Sequence, residues 1–487
     1  MKCKFEVLSK DEVYDIHVAS LEVLEYTGAT FRSREALKLF DDYGATVDYG
    51  KFSVKIPNYV VEELVRKAPK KFVFYGRNPE RNVECGGKRQ FLDLAGDCSY
   101  VIDIETGKRR FGLLKDCENF IRLSDALENT PQPYPVIRYP HDVPEDLQHV
   151  ELSMIQYKNT SAPMLVLCED REKAKDCIEL AATAAGGEEE LRRKPNAWNA
   201  GMCPSPPLLF DDKLTEGVME CAKHGLPVWF LPMDNAGASA PITLAGTIVQ
   251  TNATNLAGIC LMQIIHPGLG VSYGDIPCFM DFRTGIASVG CPEEALHCVA
   301  ATQMARFYGL PSMIWSGISD SKVFDVQAGY ESTLGLLPTL LAGANRMVCG
   351  SLESYYSACY ESVVIEDEIF GMARRMAEGI EVDEETMAVP LINKIVPLAA
   401  TKMGGHFMAE KHTLEHAARE RYIPRISDKT TRDTWQKAGS KTLTHVAKER
   451  VQEILGKHEP EPPPSDILKE MEEKAAEIRK KILSGRR

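Results

Sequence analysis

A chain of 487 residues has room for a large core plus appended pieces, and 44% apolar with 26% charged residues is ordinary globular usage. A net charge of −13 gives little support to a nucleic-acid role, which wants a basic face, and no stretch approaches the ~20 uninterrupted apolar residues of a membrane helix. The opening "MKCKFEVLSKDEVYDIH" lacks an apolar h-region, so no secretory or transit signal is expected and the expected compartment is the cytoplasm. Fourteen cysteines without a C-x-x-C pair or a repeated spacing fit reduced, mostly buried thiols better than a disulfide frame or a zinc ribbon.

From the N-terminus, "EVYDIHVASLEVLEYTG" has helical apolar spacing ending at Gly28, and "REALKLFDDYGATVDYGKFSVKIPNYVVEELVRKAP" reads helix, hairpin, helix. Residues 71–112 read as short strands and turns. Residues 1–125 are expected to form an α+β cap.

The rhythm then changes. Short apolar runs begin at Pro135, Pro163, Asn196, Pro227, Gly270, Pro311 and Arg346, at intervals of about 28 to 43 residues, each followed by a loop and a helix-length segment. Such units predict a (β/α)₈ TIM barrel over 126–455, with an eighth strand to be sought near 90 or 390. No G-x-G-x-x-G follows an early run, which argues against an open dinucleotide-binding sheet. Residues 456–487 read as a Pro-rich linker and a charged helix, expected to be solvated or to contact another subunit.

In a parallel barrel the loops after the strands make the active face. After the Pro227 run come Asp234, Asn235, Gly237, Ala238 and Ser239, with Pro241 suited to the first turn of a helix whose N–H groups would face the pocket. After the Gly270 run, Asp281 and Arg283 lie two apart on one side of an extended backbone, either paired or with Arg283 free to meet an anionic group. After the Pro311 run, Asp320, Lys322, Asp325, Gln327 and Glu331 make the densest polar loop, suited to a cation. The last run leads past Gly350 to Glu353, Tyr355, Tyr356 and Tyr360. Trp198, Trp229, Tyr273, Phe279, Phe282 and Trp315 also sit near strand ends, and together such aromatics can cage a quaternary ammonium. His406, His412 and His416 cluster near the C-terminus, but H-T-L-E-H misplaces the acid of H-E-x-x-H, and no bound metal is expected.

The segments "GASAPITLAGTIVQTNATNLAGICLMQ", "GDIPCFMDFRTG", "PSMIWSGISDSKVFDVQAGYES" and "GGHFMAEKHTLEHAARERYIPRISDKTTRDTW" resemble the trimethylamine:corrinoid methyltransferase family, as do "EVLEYTGATF", "VRKAPKKFVFYGRNP" and "VIDIETGKRR". The resemblance spans roughly residues 8–455. It implies a TIM barrel that moves a methyl group from a methylated amine to Co(I) of a corrinoid, or cobalamin, on a separate small corrinoid-binding protein, and a homo-oligomer. Trimethylamine-specific members contain pyrrolysine, whereas this sequence has standard residues throughout. That points to the branch resembling glycine betaine methyltransferase, with quaternary amines such as glycine betaine, proline betaine or carnitine as substrates.

On that footing the expected substrate contacts are Asn235, Tyr273, Asp281, Phe282, Arg283, Trp315, Asp320, Asp325, Gln327, Glu331, Tyr356 and His406, with Gly237, Ala238, Ser239 and Gly350 on the corrinoid-facing rim. No catalytic side chain is assigned, because transfer by positioning suffices. A zinc-dependent barrel methyltransferase or hydrolase and a non-catalytic binder of methylated amines are the alternatives.

Overall fold

The computed structural model describes residues 3–199, 201–400 and 405–485, the side chains of residues 198, 199, 399 and 400 excepted. Seven short strands form its parallel framework: β1 (Phe91–Leu94), β2 (Met164–Val166), β3 (Ala197–Asn199), β4 (Val228–Trp229), β5 (Val271–Asp275), β6 (Ser312–Gly317) and β7 (Arg346–Cys349). Strands β4, β5, β6, β7 and β1 pair in that order as one parallel sheet, and β2 pairs with β3. Parallel bridges Met202↔Phe230 and Cys98↔Ile137 continue the order at both ends. The expected extra strand is therefore β1, near residue 90. The Pro135 run contributes a bridge at Ile137 instead of a ladder. Five-, six- and four-residue apolar strands without alternation are what a sheet covered on both faces demands.

The covering helices are α1 (Leu114–Asp125), α2 (Gln148–Asn159), α3 (Arg171–Ala185), α4 (Asp212–Lys223), α5 (Leu244–Ile265), α6 (Pro292–Tyr308), α7 (Val326–Ala342) and α8 (Tyr360–Glu378). Helix α5 is the one described helix long and apolar enough to cross a membrane, and most of it is buried within the fold. Its apolar character on all sides has a local cause: the N-terminal helices Lys10–Glu22 and Asn58–Lys67 pack on the face turned away from the strands. On the strand side, the Asn255 carboxamide donates to the Gly274 carbonyl (2.9 Å) and accepts from the Gly274 amide (3.0 Å).

Residues 1–125 are stitched into the rest. Ala29–Phe31 pairs with Leu209–Phe210, and the Phe31 and Phe210 rings stack at 4.2 Å. The hairpin Lys71–Phe74/Val83–Gly86 closes the N-terminal end of the strands, with Phe72 against Gly270 and Cys85 near Ser272. Above it, Arg346 of β7 pairs with Asp93 of β1, both side chains 0% exposed. The Arg346 guanidinium lies 5.7 Å from the Phe74 ring and 5.4 Å from the Trp229 ring.

The C-terminal tail departs from the sequence expectation of a solvated or intersubunit helix. Helices α9 (Leu443–Lys457) and α10 (Ser465–Leu483) dock on the chain's own α8, α1, α3 and α2. Met471, Ala475 and Ile478 of α10 are buried, and Arg479 makes a forked pair with Glu151 at 2.6 and 2.9 Å. The thin apolar stripe of a charge-dense helix is enough to seat it when salt links flank the stripe. All fourteen cysteines are free thiols; most are buried, with Cys3 and Cys203 exposed.

Candidate active site

The C-terminal strand ends and the loops after them enclose a cavity of about 460 Å³. Its aromatic lining comes from four places: Tyr139 after the bridge at Ile137, Trp229 at the end of β4, Trp315 on β6, and Tyr355 with Tyr356 from the loop after β7. Trp229 lies against Gly201, where φ is 94° and a Cβ would sit 2.7 Å from the indole. Only glycine permits both that backbone and that close approach. Trp315 is 4% exposed, meets Tyr355 edge-on at 5.5 Å, and its Nε1 has no hydrogen-bond partner among the described residues. The Tyr355 hydroxyl is 3.2 Å from Cys278 Sγ. Leu231, Met233, Ile276 and Ile286 complete the apolar wall.

The charged residues of the lining are Asp97, Arg138 and Glu169, following β1, the bridge at Ile137, and β2. Arg138 is 7% exposed; its Nε donates to Glu169 Oε1 at 3.1 Å and lies 3.5 Å from Asp97 Oδ1. Burial works against the Glu169 carboxylate, but Arg138 and, behind it, Lys173 outweigh burial and hold it below the usual glutamate value. Three successive non-glycine residues beside the cavity, Glu353, Ser354 and Tyr355, have φ of 55°, 56° and 80°, and Asp97 has 67°. Left-handed backbone at such residues costs energy and is found where the surroundings fix a functional loop.

Of the residues singled out in the sequence, Trp315, Tyr356, Trp229 and Tyr355 line this cavity. Tyr273 does not: it is fully buried and stacks on Tyr308 of α6 at 6.4 Å, because its position on β5 points it into the helix layer. Arg283 is 89% exposed and holds Asp281 through two hydrogen bonds of 3.0 and 2.7 Å, so the pair is a surface clasp on the hairpin Cys278–Asp281/Ile286–Ser288. That clasp holds the Asp281 carboxyl down at about 2. Phe282, 71% exposed, stands beside Gly237, where a Cβ would lie 2.8 Å from its ring.

The acidic loop after β6 satisfies itself. Asp325 caps α7 by accepting the Gln327 and Ala328 amides, Gln327 donates to Glu331 (2.9 Å), and buried Glu331 accepts the Ser319 hydroxyl (2.6 Å) and the Asp320 amide (3.0 Å). Asp320 ties the hairpin to the Glu353–Tyr355 loop, so it acts through the lining residues Ala287 and Ser354 without lining the cavity itself. The acceptors offered for a cation are consumed by local donors.

The small-residue floor is also differently built. The Asn235 carbonyl accepts the amides of Ala238, Ser239 and Ala240, the Ser239 hydroxyl accepts the Asn235 amide, and α5 begins only at Leu244 with Thr243 at its cap. Gly237, Ala238 and Ser239 thus form a turn beside the mouth and are not cavity lining, and the helix N-terminus lies beyond Pro241. Asn235 Oδ1 is buried without a partner among the described residues. Buried Asp234 accepts from Gln250 (2.5 Å) and Thr251 (2.7 Å), and desolvation raises it to about 6.

The Gly350 amide is held by Glu366 (2.6 Å) and Tyr360 stacks on Phe120 at 4.1 Å, both behind the cavity. Phe279 packs on His297. The Trp198 side chain lies outside the described residues. His406 is exposed; His412 and His416 stack at 4.3 Å beside Glu385, on a segment that contributes nothing to the cavity lining. Among the described residues no group of three or more His, Cys, Asp or Glu side chains has a metal-holding arrangement. Sequence reasoning missed Asp97, Arg138 and Glu169.

The sequence matches the family described as Trimethylamine methyltransferase (MTTB) over residues 2–482. It is 35% identical over 459 residues to a glycine betaine methyltransferase of Desulfitobacterium hafniense, covering 94% of each chain. It is 36% identical to a trimethylamine methyltransferase, MttB, of the same species, covering 94% of this chain and 91% of the relative. Among solved structures, the Methanosarcina barkeri monomethylamine methyltransferase (MtmB) aligns over 99% of this chain and 89% of its own, at 13% identity and a TM-score of 0.48. The sequence match runs through the strands, loops and helices that build the cavity, and the chain belongs to the trimethylamine methyltransferase family and is a methyltransferase.

Proposed function

We propose that the chain takes a methyl group from a quaternary amine held in this cavity and delivers it to a corrinoid carried by a separate small protein. The observation that carries this reading is the aromatic lining: Trp229, Trp315 and Tyr355 meet in one cavity whose remaining walls are largely apolar. A quaternary ammonium has no N–H to donate, so it is held by ring faces and nearby negative charge. Its nitrogen already carries the positive charge, and breaking the methyl C–N bond releases a neutral tertiary amine. No proton has to be delivered to the leaving nitrogen, and the Tyr355 hydroxyl of the lining is turned to Cys278.

When bound, a corrinoid supplies Co(I), the nucleophile that accepts the methyl group. Exposed Ile286 and Tyr356 at the cavity, with exposed Phe282 beside Gly237 on the neighbouring hairpin and turn, support reading this side as the one a corrinoid approaches. The protein's own task is orientation, which contributes on the order of 7 kcal/mol or more when reacting atoms are held in line. The continuous parallel order from β2 round to Ile137 supports reading the framework as a closed TIM (β/α)₈ barrel. Exposed Ile380, Val382, Met408, Leu414 and Ile423 on one C-terminal segment support a homo-oligomer.

The test is to incubate metal-stripped protein with cob(I)alamin and glycine betaine, proline betaine, carnitine, choline or trimethylamine, and to follow spectral conversion to the methylated cobalamin. Conversion with quaternary amines supports the reading. Binding without conversion would make the chain a binder of methylated amines and overturn it.

A further inference from the structure

The charged groups of the cavity are unevenly matched. One guanidinium, Arg138, is shared between two carboxylates, Glu169 at 3.1 Å and Asp97 at 3.5 Å, so the lining carries one more negative than positive charge. Arg138 Nε is the atom both acids engage, and their two negative charges beside the guanidinium oppose the approach of a further carboxylate. Of the two acids, Glu169 is the more enclosed, its side chain 23% exposed against 58% for Asp97.

Glu169 stays ionised, since Arg138 and Lys173 overcome the effect of burial on it. The aromatic members of the same lining, Trp229 and Trp315, supply ring faces for the same cation.

Resting on the reading of the cavity as a quaternary-amine site, we propose that it selects quaternary amines of net positive charge, such as choline, over zwitterionic betaines of similar size, with Glu169 as counter-ion to the ammonium. Asp97 and Arg138 position that counter-ion. A substrate carboxylate in the cavity would face two fixed carboxylates and one guanidinium already engaged by both. At the short separations of a cavity this size, one unit of unbalanced charge is enough for at least about a tenfold difference in affinity.

Isothermal titration of the full chain with choline and with glycine betaine, at one ionic strength and without a corrinoid, tests this. Choline is expected to bind at least about tenfold tighter. Glu169→Gln should weaken choline about tenfold and bring the two ligands level, and Asp97→Asn, at an exposed position, should narrow the same ratio by a smaller factor with the fold unchanged by circular dichroism. Tighter binding of glycine betaine, or a choline-to-betaine ratio that neither substitution moves, overturns the charge selection while leaving quaternary-amine binding intact. Binding of neither ligand, with no methyl transfer from any quaternary amine, overturns both readings.

Discussion

Ser354 donates its hydroxyl to Asp320, and the same carboxylate takes the Ser288 hydroxyl at 2.5 Å and the Val289 amide at 3.2 Å. One acid thus fastens two loops that line the cavity, including the left-handed run Glu353–Tyr355. Without it, the cost of that backbone, on the order of 1–3 kcal/mol per residue, would be relieved by rearrangement. Asp320→Ala is expected to raise KM for the amine about tenfold with a smaller change in kcat, and Asp320→Asn to restore part of the loss. Steady-state methyl transfer measures both. Equal falls in kcat for both variants with KM unchanged would remove this positioning role.

Trp315 offers the cavity a well-enclosed ring, 4% exposed beside Trp229 at 2%. Trp315→Leu keeps the site apolar and removes the π face, and desolvated cation–π contacts are worth about 2 kcal/mol, so binding of a quaternary amine should weaken roughly 30-fold. Trp315→Phe should lose less. The comparison with an uncharged isostere, 3,3-dimethyl-1-butanol against choline, isolates the charge: Trp315→Leu should affect choline more. Equal losses for both ligands would reduce Trp315 to shape alone.

Arg283 is expected to be dispensable for choosing the amine. Its guanidinium is held by Asp281 and lies 89% exposed on the outer hairpin. Arg283→Ala should leave KM for choline and for glycine betaine within about twofold of the parent, since exposed ion pairs contribute little. A selective loss of glycine betaine would return Arg283 to the substrate site.

These residues show where the sequence was readable. Buried parallel strands announce themselves as apolar runs at regular intervals, so β2 to β7 stood out, whereas "FLDL" was hidden among the turns of residues 71–112 and proved to be β1, the neighbour of β7. Trp315 was found because it ends an apolar run. Asp97, Arg138 and Glu169 follow the same rule at β1, Ile137 and β2, yet each is a single polar residue with no local pattern. The acidic loop at 320–331 drew attention by density, and density there reflects mutual satisfaction: Gln327 with Glu331, Glu331 with Ser319. Composition records how many acceptors a loop has and not which donors reach them first.

Glu366 gives a prediction in pH. It is fully buried on α8, accepting the Ser332 hydroxyl at 2.7 Å and the Gly350 amide at 2.6 Å. Burial pushes its carboxyl from 4.5 up to about 8, against the pull of the Ser332, Cys349 and Gly350 hydrogen bonds. The folded state therefore binds this proton more tightly than the unfolded chain does. The stabilisation is fully present below about pH 4.5 and is lost as pH rises through about 8. Within that window the contribution falls by about 1.4 kcal/mol per pH unit. Glu366→Gln keeps a neutral acceptor for Gly350 and has no proton to lose. Urea unfolding of parent and variant at pH 5, 6.5 and 8 should show the variant gaining steadily on the parent. A stability difference that stays constant across the three values would mean that Glu366 ionises at its ordinary value, and that the Gly350 amide is held by a carboxylate and not by a carboxylic acid.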